Sequence, residues 1–186
     1  EPYYGWRDEY IADEDERSPF YGVEHSEFEY SHRIYNYFIH PQWDYFEAHT
    51  LYLKVLYVHY DLEFAIIELI GEWNDCIHND IMFLKRNVID PMLAEGVKRF
   101  ILLGENVLNY HASDDSYYEE WLDDIRDDGG WIAAVNFREH VIAEMREGGV
   151  HYYINFGETL NKIYWRKFKP KQLHDLIDNL IIKALA

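Results

Sequence analysis

Three short apolar runs, each followed by a helical pattern, constrain the fold of this 186-residue chain more than any other feature. The runs are FAIIELIG (64–71), RFILLG (99–104) and WIAAVN (131–136). Nearly continuous apolar runs of this length are typical of strands buried on both faces, as in parallel sheets covered by their crossover helices. The sequence therefore predicts an α/β fold with a mixed, mostly parallel sheet and helices packed on it.

A strand and a tight turn precede the first of these runs. The segment LYLKVLYVHY (51–60) has the pattern of a strand, and Asp61-Leu62-Glu63 separates it from the next run. Two such runs joined by a short turn predict an opening antiparallel hairpin. The side chains expected on one face of its first strand are Leu51, Leu53, Val55 and Tyr57. A last strand is expected at HYYINF (151–156).

Apolar residues at intervals of three and four predict four helices. The first spans 75–95, where Pro91 should bend or divide it and Gly96 should end it. Its expected buried positions are Ile77, Ile81, Leu84, Val88 and Met92. The next two are marked by Tyr117, Tyr118, Trp121, Leu122 and Ile125, and by Val141, Ile142 and Met145. The last begins at Pro170 and is marked by Leu173, Leu176, Ile177, Leu180 and Ala184.

Residues 1–50 differ from the rest of the chain and are predicted to form an acidic aromatic arm before the α/β domain of residues 51–186. They hold twelve Asp and Glu against three Lys and Arg, and eight of the seventeen tyrosines. The charge favours a solvated segment, whereas the rings favour packing. The arm is therefore expected to pack on the body or on a second subunit, in the latter case building a homodimer. The alternative is a disordered tail.

Charge and composition restrict the partners and the compartment. A net charge of −18 argues against nucleic acid and against anionic membranes, because both require a concentrated basic face. No apolar run is long enough for a spanning helix, and the first residues, EPYYGW, lack the pattern of a signal peptide. The single cysteine, Cys76, favours a reducing cytoplasm. Because the chain begins without Met, we expect that its N-terminus has been trimmed.

The stretch HASDDSYYEEW (111–121) lies where a strand is expected to lead into a helix. Ser116 and Glu119 have the spacing of a capping box, and Asp114 and Asp115 would lie at the positive end of the helix dipole. A helix cap therefore accounts for all of these polar residues. The alternative hypotheses are an acidic catalytic cluster and a phosphorylation site.

The segment from Phe64 to about Phe156 resembles a STAS domain, the fold of bacterial anti-sigma-factor antagonists. The counterparts of that family's pattern are FAIIELIGEWND (64–75), RFILLGENV (99–107) and the Asp115-Ser116 pair that opens the next helix. The resemblance implies a serine that a kinase phosphorylates to switch partner binding, and Ser116 is the residue that matches. Ser113 is the second candidate. The implied interaction surface is Asp115, Ser116 and Tyr117, with the loop before them.

The sequence predicts no catalytic residue, cofactor or metal. Asp114 and Asp115 are adjacent and have no evident difference in environment, so they do not form the divided carboxylate pair that acid–base catalysis requires. The histidines include neither HExxH nor an i,i+4 pair. Phosphate-binding glycine loops and nucleophile motifs are also missing from the sequence.

One basic patch occurs in this acidic chain, at KIYWRKFKPK (162–171). Its charged residues are Lys162, Arg166, Lys167, Lys169 and Lys171. Three hypotheses remain open: the patch faces the acidic arm of the same or a neighbouring subunit, it binds an external acidic partner, or it is a solvated loop.

The resemblance therefore implies a non-enzymatic, bacterial regulatory module that acts through protein–protein contact. The partner's identity does not follow from the sequence. The alternative function is an enzyme or small-ligand-binding protein with a pocket between the arm and the sheet, where tyrosine, histidine and carboxylate groups would converge.

Overall fold

The computed structural model describes residues 1–185, and its main sheet has four strands. They are β3 (Leu51–His59), β4 (Phe64–Asn74), β5 (Arg99–His111) and β6 (Trp131–Val135), preceded in the chain by a small hairpin of β1 (Arg33–Ile34) and β2 (Tyr37–Phe38). The strand order is β3-β4-β5-β6, with β3 antiparallel to β4 and the remaining pairs parallel. The mixed, mostly parallel sheet is therefore confirmed.

Within residues 1–185, six α-helices connect or follow these strands. They are α1 (Asp75–His78), α2 (Asp80–Leu84), α3 (Asp90–Ala94), α4 (Ser116–Arg126), α5 (Glu139–Glu147) and α6 (Pro170–Leu185). The helices predicted after Ser116, before Gly148 and from Pro170 are confirmed. None of the helices described in residues 1–185 combines the length and apolar character needed to cross a bilayer.

The β3–β4 hairpin is confirmed, but a bulge changes the side on which its last residues lie. Val55 pairs with Ile67 and Tyr57 pairs with Ile66, so Leu56 is the extra residue in β3. Leu51, Leu53 and Val55 therefore share one apolar cluster, whereas Tyr57 packs against the cluster on the opposite face. Because an extra residue reverses the alternation of a strand, the prediction for Tyr57 is wrong.

Two strands extend beyond their predicted ends. β4 continues to Asn74 and β5 continues through His111, beyond the apolar runs that end at Gly71 and Gly104. β5 runs through Gly104, where the lack of a side chain makes room for the ring of Phe137. A Cβ atom there would lie 2.2 Å from the Phe137 ring. The glycine thus marks a close packing contact instead of a strand end.

The region 75–95 forms three short helices in place of one long helix. Asn79 adopts a left-handed conformation with φ of 53° and ends α1 after one turn. Ile77 is consequently 75% exposed, contrary to prediction, while the other four predicted positions are buried. A π-helical turn at Lys85–Ile89 precedes Pro91, which lies in the first turn of α3. Pro91, predicted to bend or divide the helix, thus follows a local change from α-helical to π-helical hydrogen bonding, and the helical backbone continues through it to Ala94.

Helices α2 to α5 cover one face of the sheet, and α6 covers the other. β4 is buried on both faces: Ala65 and Ile67 lie in the first cluster, and Phe64 and Ile66 lie in the second. The second cluster includes Leu173, Ile177 and Ile181 of α6. Ala184, predicted on the buried side of this helix, is exposed.

The strand predicted at 151–156 is wrong. A 3-10 turn occupies Val150–Tyr152, and Asn155 makes a single parallel bridge to Ala133 of β6. The Asn155 side-chain amide also donates to the Ile132 carbonyl at 3.0 Å. One residue thus contacts the sheet edge, and no ladder forms.

Residues 1–50, the arm, contain little regular structure but bury several rings against the body. Trp6 lies in the cluster beneath α6, and Phe20 and Phe46 lie in the cluster beneath the crossover helices. Trp43 is 1% exposed and forms a third cluster with Ile34, Ile39 and Tyr52. These contacts fix the path of the arm across β3 and β4.

Candidate functional site

The start of α4 contains the three residues predicted as an interaction surface, and a different hydrogen bond replaces the predicted capping box. Ser116 is exposed and is the first helical residue, after Asp115. Its hydroxyl donates to Oδ1 of Asp114 at 2.5 Å, and its backbone N–H donates to the same oxygen at 3.1 Å. The capping-box prediction is wrong because Asp115 occupies the N-cap position and Ser116 is already the first helical residue. These hydrogen bonds lower the pKa of Asp114.

Asp115 and Tyr117 are half-buried and have structural contacts. The Tyr153 hydroxyl donates to Asp115 at 2.8 Å, which ties α4 to the segment after α5 and raises the pKa of Tyr153 to about 12. The guanidinium of Arg86 lies 5.2 Å from the Tyr117 ring centre, but it is also bound to Glu120 at 2.7 Å. Ser116 is therefore accessible in acidic surroundings, and its phosphorylation stays a prediction.

The basic patch contacts the arm through rings and backbone, not through the arm's carboxylates. Arg166 pairs with Glu105 of β5 at 2.9 Å, and Lys171 pairs with Asp175 at 3.1 Å. From the arm, the Tyr3 hydroxyl donates to the Arg166 carbonyl, and the Trp6 indole donates to the Phe168 carbonyl at 3.1 Å. The patch therefore faces the arm of the same chain, as one of the hypotheses predicted, but within the described residues no ion pair joins it to a carboxylate of the arm. Within the described residues, Lys162, Lys167 and Lys169 form no ion pair.

A cavity between the arm and the sheet lies where the alternative function requires a pocket, but it measures only about 20 Å³. Its lining includes Tyr3, Trp6, Ala12 and Lys54. A single water molecule needs about 10–15 Å³, so the cavity has room for roughly one water. It is too small to hold a substrate.

A buried polar cluster, not predicted from sequence, fastens the middle of the arm to β3. His25 lies between two carboxylates, 2.6 Å from Asp44 and 3.4 Å from Asp13. Lys54 lies 3.4 Å from the other oxygen of Asp44. The backbone of Asp44 pairs with that of Leu53. The sequence gives no signal for this cluster because its members are separated by 10 to 41 positions and share no motif.

Asp75 forms a second buried polar cluster, at the carboxyl end of β4. It is 2% exposed and accepts hydrogen bonds from the Trp73 indole, the Ile81 N–H and the hydroxyls of Tyr110 and Tyr118. Burial raises its pKa to about 6, although the four donors act in the opposite direction. A carboxylate enclosed in this way supports the strand end and is closed to a substrate.

The most exposed apolar part of the described chain is in the arm. Of fourteen large apolar side chains that are exposed, eight lie between residues 21 and 45. We call this set the aromatic surface; it comprises Tyr21, Val23, Phe28, Tyr30, Tyr35, Tyr37, Phe38 and Tyr45. Phe28 is 88% exposed and Tyr37 is 75% exposed.

Buried residues anchor the part of the aromatic surface around the β1–β2 hairpin, which contains Tyr37 and Phe38. Ile34, Ile39 and Trp43 pack against Tyr52 of β3. Ile34 belongs to β1 and pairs with Tyr37 of β2, so the hairpin is joined directly to this cluster. The guanidinium of Arg33 lies 4.3 Å from the centre of the Phe38 ring. The sequence revealed the excess of tyrosine in the arm, but it could not show which rings point outward, because the arm has no repeating pattern.

Two further observations bear on the class of protein. No group of three or more His, Cys, Asp or Glu side chains in residues 1–185 is arranged to hold a metal ion. A scan against protein-family models finds no matching family, and a search of curated proteins finds no match.

Proposed function

We propose that this protein is a non-enzymatic module of bacterial regulatory type that binds a protein partner through the aromatic surface. The observation that carries the proposal is the concentration of exposed rings between residues 21 and 45, above buried anchors. Single exposed apolar residues are ordinary in folded proteins, whereas groups of them mark interaction sites.

The composition and rigidity of this surface suit protein–protein contact. Tyrosine and phenylalanine are enriched at protein interfaces, where large rings provide contact area at a low cost in side-chain entropy. Because Trp43 and the Asp44 cluster fix the backbone beneath the rings, little ordering is needed on binding. Such preorganisation increases affinity without additional contacts.

Charge defines the chemistry of the partner. Glu24, Glu27 and Glu29 are exposed within the same segment, and Arg33 is its only exposed cation among residues 21–45. A complementary partner surface would combine apolar pockets with lysine or arginine at the rim. The net charge of −18 would accelerate the approach of such a partner.

The STAS-like relationship belongs to this proposal as well. It is supported by the chain order of β4, β5, α4, β6 and α5, and by the exposed hydroxyl of Ser116 at the first position of α4. A phosphate on Ser116 would meet the helix N-terminus but also the carboxylates of Asp114 and Asp115. We propose Ser116 as a switch that acts at a second surface, separate from the aromatic surface.

The test is affinity capture from the cells that make the protein, with matched variants. The double substitution Phe28→Ser and Tyr37→Ser removes two rings of the aromatic surface. The control, Tyr4→Ser with Ile182→Ser, removes two side chains that are 65% and 56% exposed and lie outside the aromatic surface and the start of α4. A protein captured by wild type and control should be reduced at least about tenfold with the aromatic-surface variant. Equal capture by all three would reject the proposal.

A further inference from the structure

A basic groove lies between the segment before α6 and the helix itself. Its volume is about 580 Å³. The apolar residues that line it are Ile163, Phe168, Leu176 and Leu180. Lys162 and Lys167 line it as well, and one acidic residue, Glu158, is in the lining. The groove therefore combines an apolar floor with a net positive rim.

The two groove lysines are available to an incoming acid. Neither forms an ion pair within the described residues, and Lys167 instead lies 5.1 Å from the centre of the exposed Tyr164 ring. The arm of the same chain reaches the neighbouring backbone at Arg166 and Phe168 but brings no carboxylate to these lysines. The groove thus lacks the acidic counterpart that the sequence led us to expect.

The segment EHSEFEY (24–30) has the complementary chemistry. Phe28 is 88% exposed and stands between Glu27 and Glu29, both exposed and without an ion pair in the described residues. The Ser26 hydroxyl accepts hydrogen bonds from the backbone N–H groups of Phe28 at 3.2 Å and Glu29 at 2.8 Å. This turn fixes the backbone at the point where the ring projects.

We infer that Phe28 of one chain inserts into the basic groove of a second copy of the same chain. In that contact Glu27 and Glu29 pair with Lys162 and Lys167, and the ring covers the apolar floor. The inference rests on the proposed function and specifies one partner of the aromatic surface. An apolar projection on a molecule that also has a pocket complementary to it generates contacts between copies. Two reciprocal contacts of this kind close a two-fold dimer.

Light scattering on the purified protein at concentrations up to about 100 µM tests this inference, because a dimer with a micromolar dissociation constant would form in this range. Wild type should show a concentration-dependent dimer. Three variants, Phe28→Ser, Glu27→Lys with Glu29→Lys, and Lys162→Glu with Lys167→Glu, should each weaken the association at least about tenfold. The control Tyr152→Ser, at a side chain that is 72% exposed and lies outside both surfaces, should leave it unchanged.

Mixing the two charge-reversed variants gives the sharpest result. In the mixed dimer each contact again joins lysines to glutamates, so association should return to about the wild-type strength. A wild-type monomer throughout the range, a dimer insensitive to Phe28→Ser, or no recovery in the mixture would each overturn the inference. Circular dichroism verifies that the variants are folded. A monomer that still captures another protein through the aromatic surface would reject only the self-association and leave the proposed function intact.

Discussion

At the scale of single residues, buried carboxylates give this acidic protein much of its internal order. Asp75 receives four donors from three parts of the chain, and Asp44 joins the arm to β3 through His25 and Lys54. Desolvation also raises the pKa values of Glu68 and Asp80. Burying each of these carboxylates costs free energy unless the carboxylate is hydrogen-bonded. The arrangement of neighbouring segments that supplies those hydrogen bonds is therefore favoured over others.

Asp75 predicts a measurable pH dependence of stability. Its pKa in the folded state, about 6, exceeds the ordinary value of 3.8, so the folded protein binds this proton more tightly than the unfolded chain. The stabilisation is fully present below about pH 4 and is lost as the pH rises through about 6, a change of about 3 kcal/mol at roughly 1.4 kcal/mol per pKa unit. Asp75→Asn should remove this part of the profile.

The measurement is urea unfolding of wild type and Asp75→Asn across this pH range. Subtracting the two profiles cancels the contributions of Glu68 and Asp80. Asp61→Asn, in the exposed β3–β4 turn, is the control and should follow wild type. Parallel profiles for wild type and Asp75→Asn would contradict the prediction.

Residue roles were the least predictable from sequence. Ser116 and Glu119 have the spacing of a capping box, yet the N-cap position falls on Asp115 and the Ser116 hydroxyl donates to Asp114. His25 belongs to no motif in the sequence, and only the folded path of the arm brings it between Asp13 and Asp44. Such pairings depend on tertiary position and leave no local pattern.

At the scale of helices and strands, the arm is an integral layer of the structure. Trp6 is 6% exposed, its ring lies 5.7 Å from that of Trp165, and its indole N–H donates to the Phe168 carbonyl. The Tyr3 N–H donates to the buried Glu68 carboxylate at 2.8 Å. These contacts cover the face of the sheet next to α6.

Substitution of Trp6 should therefore destabilise the whole fold. Trp6→Ala is expected to lower the free energy of unfolding by about 3–5 kcal/mol, since it removes a large buried ring and a hydrogen bond. Tyr4→Ala, at a 65% exposed neighbour, should change it by less than about 0.5 kcal/mol. Urea denaturation compares the two. Similar stability of Trp6→Ala and wild type would show that the arm contributes little to the fold.

The strands and helices of the core were largely predictable from the sequence, because burial of one face gives each element a regular spacing of apolar residues. The β3–β4 hairpin, β6, α4, α5 and α6 followed from apolar spacing. Three features did not: the bulge at Leu56, the left-handed Asn79 and the extension of β5 past Gly104. Each arises from a packing contact or a backbone conformation that hydrophobic period does not encode.

At the scale of the whole molecule, charge and apolar surface are unevenly distributed. The chain has a net charge of −18, its exposed rings are concentrated in the arm, and the groove lysines lie in a segment before α6. The start of α4, which sequence analysis favoured as the interaction surface, exposes polar groups at Ser116 and buries much of Tyr117. The aromatic surface is therefore the stronger candidate for contact with a partner.

The most direct measurement of this claim is photo-cross-linking in cells that make the protein, with a photoreactive phenylalanine at one position at a time. Position 37 probes the aromatic surface, position 152 probes the segment beside the start of α4, and position 182 on α6 gives the background. We expect a discrete cross-linked protein from position 37 and none from position 182. Cross-links from position 152 alone, or none above background at position 37, would contradict binding through the aromatic surface.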